Sequence, residues 1–95
     1  MFDLTGFQRD LLYIIAGLDQ PSGQQIRREI EAFVGEVTHG RLYPNLDTLV
    51  ERQLIEKGQQ DRRTNYYEIT SKGREYLVRR RSWENDQVEL LQSGS

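Results

Sequence analysis

The stretch HGRLYPNLDTL, residues 39–49, carries two instructions that pull against each other. Leu42, Leu46 and Leu49, followed by Val50, recur at the spacing of one buried helical stripe. Pro44 sits among them, and proline has no N–H for a helix interior and crowds the carbonyl one turn back. The first four amides of a helix have no internal acceptor, so a proline costs little there and far more beyond. The residue before a proline also avoids helical geometry, which here burdens Tyr43. The sequence therefore predicts either a regular helix starting near Tyr43 or one turn from Thr38 followed by a kink. Both put residues 39–43 in a bent lead-in to a helix that ends near Gln53.

Two helices precede this one. The segment TGFQRDLLYIIAGL opens with Thr5 and Gln8 at capping-box spacing and carries a stripe of Phe7, Leu11, Ile14, Ile15 and Leu18. Asp19, Gln20 and Pro21 end it. SGQQIRREIEAFVGE repeats the device, with Ser22 and Gln25 as the box and Gly35 as the C-cap. Its expected buried face is Ile26, Ile30, Phe33 and Val34. After the third helix, LIEKGQ and YYEIT flank the polar turn QDRRTN and read as a hairpin. Thr70 or Ser71 then caps a last helix over residues 72–91. The expected fold is mainly α with a small β-hairpin: a winged helix-turn-helix plus a C-terminal dimerisation helix. Its parts are residues 1–70 for DNA binding, 71–92 for dimerisation and 93–95 as a disordered tail. In that architecture the third helix enters a major groove and the hairpin, or wing, touches the flanking backbone or minor groove.

A chain of 95 residues supports one small core, and 36% apolar content makes that core thin enough to invite a partner subunit. With no cysteine there is no disulfide, thiolate metal site or thiol nucleophile, and a reducing cytoplasm is the expected setting. A single histidine, His39, leaves no ordinary histidine metal site and no Ser-His-Asp unit, so no metal, cofactor or enzymatic activity is expected. No apolar run is long enough to span a membrane, and the N-terminus lacks a signal-peptide layout. The net charge of −2 conceals an asymmetry: residues 38–82 hold ten Lys/Arg against six Asp/Glu, while both ends are acidic. A basic island of that size suits a nucleic-acid footprint.

The third helix supplies the matching chemistry. Thr38, Arg41, Asn45, Thr48 and Arg52 recur beside the leucine stripe, all able to donate hydrogen bonds. Arginine can read guanine edges, asparagine adenine edges, and threonine a phosphate or a thymine methyl. Asp47 and Glu51 are expected elsewhere on the helix, away from phosphates. At the hairpin tip, Arg62 and Arg63, with Thr64 and Asn65, can clamp phosphates or enter a narrow minor groove. His39 and Tyr43 complete the candidate DNA-binding set at the head of the third helix.

The segment HGRLYPNLDTLVERQLIEKG resembles the signature of the PadR-like family of transcriptional regulators. The Gly-x-Leu-Tyr-Pro-x-Leu pattern falls on Gly40, Leu42, Tyr43, Pro44 and Leu46. The segment RRTNYYEITSKGREYL is similar to that family's Arg-rich wing, Tyr-Tyr strand and Thr-x-x-Gly start of the last helix. The likeness spans residues 7–82, and it implies a double-stranded DNA-binding regulator. The expected activity is that of a dimeric repressor occluding a promoter. The alternative is a winged helix that docks onto another protein without binding DNA. Many relatives carry a longer C-terminal effector region than the single helix here, so no effector ligand is assigned.

A homodimer is expected through that last helix. Tyr76, Trp83 and Leu90 fall seven residues apart, and Leu77 and Leu91 two heptads apart, with Phe7 and Leu11 of the first helix in support. The resulting two-fold would match a pseudo-palindromic operator.

Overall fold

The computed structural model describes residues 4–59, 61, 62 and 64–93. The elements run α1 (Gly6–Gly17), α2 (Gly23–Val34), α3 (His39–Glu51), β1 (Ile55–Gln59), β2 (Asn65–Ile69) and α4 (Ser71–Ser93). Three helices, a two-stranded antiparallel hairpin and a long final helix are the winged helix-turn-helix expected from the order of motifs. Ser93, assigned to a tail, ends α4, and residues 94–95 lie outside the described residues.

Both capping boxes form. Gln8 N donates to Thr5 Oγ1 at 3.1 Å while the Gln8 side chain accepts from Thr5 N, and Ser22 and Gln25 exchange the same pair. Gly35 ends α2 at φ 90, a left-handed conformation that suits glycine.

The proline region rules out a helix that starts near Tyr43. α3 begins at His39, capped by Thr38, and runs unbroken through Pro44, its sixth residue. The proline is tolerated because it stands on the exposed side of the helix. The carbonyl deprived of its donor is that of Gly40, also exposed, where water can replace the lost bond. Side chains reinforce the backbone on either side: Asn45 Nδ2 donates to the Arg41 carbonyl at 2.6 Å and Thr48 Oγ1 to that of Pro44 at 3.0 Å.

Leu42, Leu46 and Leu49 are fully buried against Leu11, Ile15 and Ile26, as their stripe requires. The face predicted for α2 is only half right. Ile26 and Ile30 are buried, but Phe33 is 78% exposed and Val34 44%. The last turn of α2 extends past the layer formed by α1 and α3. The chain reverses at Gly35 and inserts Val37 into the core instead, held by Val37 N donating to Glu31 Oε2 at 2.9 Å.

The wing is tied down at its base. Ile55 pairs with Ile69 and Gly58 with Tyr66 across the hairpin, and Tyr67 N donates to the Pro21 carbonyl at 2.9 Å. A Cβ at Gly58 would collide with the Tyr66 ring. Thr70 Oγ1 donates to the Leu54 carbonyl at 3.0 Å and accepts from Gly73 N at 3.0 Å, so one hydroxyl both closes the hairpin and starts α4. Gly73 is needed there because a Cβ would overlap the Leu54 carbonyl.

Three residues expected at a subunit interface are corrected by their burial. Leu11, Tyr76 and Leu77 are packed inside the chain's own core, so they have little surface left for a partner. The first turns of α4 thus complete the winged helix rather than forming a separate unit. The rest of α4 extends from the body of a molecule measuring 54 × 29 × 22 Å, exposing Trp83, Val88, Leu90 and Leu91.

Gly73→Ala should lower stability by about 1–3 kcal/mol through overpacking against backbone. Gly17→Ala, with nothing within 4 Å of an added Cβ, should stay near wild type. Urea unfolding of both variants measures the contrast; equal losses would show that the close approach of α4 to Leu54 is not what Gly73 serves.

Candidate nucleic-acid interface

Opposite the leucine stripe, the outer ridge of α3 is Gly40, Pro44, Asp47 and Glu51, all exposed. Asp47 and Glu51 face outward on a ridge separate from the row of hydrogen-bond donors, because they follow Gly40 and Pro44 at helical spacing. The first half of the ridge has almost no side chain, so backbone and flanking groups can approach a partner closely there.

One flank of α3 turns toward α1. Arg41 is exposed, and its guanidinium lies over the Phe7 ring at 4.0 Å. Phe7, expected at a subunit interface, instead packs beside the core and under this arginine. Asn45, expected to read a base, is used internally: its Oδ1 accepts from Gln8 Nε2 at 3.0 Å while its Nδ2 donates to the Arg41 carbonyl. Gln8 itself is buried and lies 37 residues away in sequence, which is why its contact with Asn45 escaped the sequence reading. The hydroxyls of Thr38 and Thr48 are bonded to α3 backbone, and Arg52 forms the C-cap at the far end of the helix.

The other flank turns toward α2 and the wing. His39 is exposed and stacks on Tyr43 with ring centroids 4.4 Å apart. Tyr43 reaches the N-terminus of α2, where a Cβ at Gly23 would sit 2.5 Å from its hydroxyl. Ser22, Gly23, Gln24, Tyr43, Thr64, Asn65 and Tyr67 line a cavity of about 290 Å³ at this junction. The bridge between Ser22 and Tyr66 fixes the first turn of α2 against β2. At the wing tip Asp61 Oδ1 accepts from Thr64 N at 2.8 Å, and Arg62 is exposed. Arg63 lies outside the described residues. Burial, and then the neighbouring Tyr43 and Asp47, push the Tyr67 phenol up to about 12, so it keeps its proton at neutral pH.

The α2 N-terminus and Tyr67 were missing from the sequence-derived site. The Ser22 capping box marked a helix start, but nothing in the sequence placed that start beside the wing.

Among the described residues no group of His, Asp and Glu could hold a metal ion, and no helix is long and apolar enough to cross a membrane. Among curated proteins none is significantly similar to the chain. Solved structures are. RosR of Halobacterium salinarum is 44% identical, with 90% of this chain and 77% of that one covered at a TM-score of 0.84. A PadR-like transcription factor from Bacteroides fragilis is 18% identical, covering 94% and 89% at a TM-score of 0.78. FabT of Streptococcus pneumoniae, solved in complex with DNA, is 23% identical, covering 98% and 63% at a TM-score of 0.75. The PadR-like family of transcriptional regulators matches residues 11–79, and the chain belongs to that family, whose members regulate transcription rather than catalyse a reaction.

Proposed function

We propose that this protein is a sequence-specific, double-stranded DNA-binding regulator that acts in the cytoplasm as a homodimeric repressor, occluding a promoter at a pseudo-palindromic operator. The observation that carries this reading is convergence: the cavity brings the start of α2, the first half of α3 and the base of the wing onto one surface. That surface offers hydroxyls, amides and the exposed His39, with Arg41 and Arg62 exposed on α3 and the wing. FabT, of the same fold, was solved bound to DNA. Within this reading the N-terminal half of α3 enters the major groove, with Arg41 on a base edge, and Arg62 grips backbone beside it. Asn45 serves indirectly, fixing the backbone that carries Arg41.

The dimer rests on α4. At 1.5 Å per residue its 23 residues extend about 34 Å, and only the first turns are buried. Leu90 is 64% exposed and Leu91 76%, and Trp83, beneath the Arg80 guanidinium at 4.5 Å, is half exposed. Apolar groups this close together are usually covered. Burial, and then the Glu84 carboxylate, raise the Tyr13 phenol, so a neutral α1 tyrosine adjoins the same stretch of α4. Pairing of two such helices would separate the recognition helices by about 34 Å, one turn of duplex.

A gel shift with DNA from upstream of the protein's own coding sequence tests the DNA reading. Specific binding that weakens steeply with salt is expected, and no binding to any duplex at low salt would refute it. Arg41→Ala should cost about 1–3 kcal/mol on the operator and relax sequence preference, whereas Arg62→Ala should weaken all duplexes alike and flatten the salt slope. Equal losses for Arg41→Ala on operator and random DNA would reduce that arginine to a backbone contact. For the dimer, light scattering should give twice the chain mass for wild type and a monomer for Trp83→Ala combined with Leu90→Ala. A monomeric wild type at micromolar concentration would discard this interface.

A further inference from the structure

The Tyr67 hydroxyl has no role in the fold. Its ring is packed in the core and the residue is 1% exposed, yet it lines the cavity between α2, α3 and the wing. Among the described residues no side-chain hydrogen bond joins its hydroxyl or that of Tyr43 to the protein, and neither oxygen is sealed from solvent. Phenylalanine would fill the same core position, so the packing of the ring does not require the hydroxyl. The hydroxyl makes sense as a donor to something that enters.

The remaining walls point to the same kind of visitor. Ser22, Gly23 and Gln24 place the positive end of α2 at the cavity, and Ser22 Oγ already accepts from Gln25 N. The first-turn amide of Gln24 has no intrahelical acceptor. A Cβ at Gly23 would displace the Tyr43 hydroxyl from this corner. Among the described residues no carboxylate, lysine or arginine lines the cavity. Donors and a helix terminus without a full positive charge suit a singly charged oxyanion better than a dianion.

We propose that this cavity receives one backbone phosphate of the bound duplex, with the hydroxyls of Tyr67 and Tyr43 and the Gln24 amide donating to its oxygens. This rests on the DNA-binding reading above. The charge of Asp47 reaches Tyr67 and opposes a free anion, so the phosphate is held because the rest of the interface delivers it. Burial keeps the Tyr67 phenol protonated and therefore a donor throughout the neutral range. The site fixes register and orientation and carries no base preference of its own.

Tyr67→Phe tests this without disturbing the core. The variant should melt near the wild-type temperature, yet bind operator and random duplex more weakly by the same factor, on the order of ten-fold. In a scan of single methylphosphonate substitutions along the operator, one position should weaken wild type and leave Tyr67→Phe unaffected. Gly23→Ala, which dislodges Tyr43, should reproduce the loss at that position. Inorganic phosphate, followed by the Gln24 amide resonance, should bind wild type only weakly. Wild-type affinity in Tyr67→Phe, or a saturable small-anion site with no methylphosphonate-sensitive position, would overturn the phosphate site and leave DNA binding standing. Failure of the wild type to bind any duplex would instead remove the DNA reading itself.

Discussion

α3 is held by complete burial of Leu42, Leu46 and Leu49, while the first half of its opposite side carries only Gly40 and Pro44. Everything else in the molecule accommodates that contact. α1 and α2 supply the other wall of the core, and the wing returns Tyr67 and Ile69 to its edge. The first turns of α4 close the bottom with Tyr76 and Leu77. Three buried leucines in a core this small leave α3 no freedom to roll. A roll would expose apolar surface worth about 25 cal/mol per Å². Pro44 is compatible with this arrangement because its missing donor falls on the exposed side. Gly40 and Pro44 together leave the first half of α3 almost smooth where a duplex would meet it.

Fixing α3 also fixes what surrounds it, and the two flanks divide the work. Toward α1, Gln8, Asn45, Arg41 and Phe7 form a chain of contacts in which a buried amide steadies the backbone and an aromatic ring steadies the guanidinium. Toward α2 and the wing, Tyr43 closes over Gly23 and leaves unpaired donors facing a small cavity. A side chain oriented before binding loses less entropy when it binds, so both flanks favour association by having little left to order.

Helix starts, the hairpin and the start of α4 were legible in the sequence because each depends on short-range chemistry. Thr5 with Gln8, Ser22 with Gln25, and Thr70 with Gly73 act within three residues of one another. What was not legible depends on contacts between distant segments. Phe33 keeps helical phase with Ile26 and Ile30 yet has nothing to pack on, because the core ends before α2 does. Asn45 has base-reading chemistry, but Gln8 engages its side chain, and Leu11 and Tyr76 have apolar spacing, but the chain's own core buries both. Asp47 and Glu51, by contrast, lie off the donor row as their phase requires.

The account makes one surface, built from the start of α2, the first half of α3 and the wing, the place where duplex DNA binds. Backbone amide spectra recorded while operator duplex is added test that directly. The resonances of Ser22 to Gln24, His39 to Tyr43 and Arg62 to Asn65 should shift together, while Phe33 and Val34 at the far end of α2 stay in place. Shifts confined to Phe33, Val34 and the exposed end of α4, with the α3 amides unmoved, would contradict it.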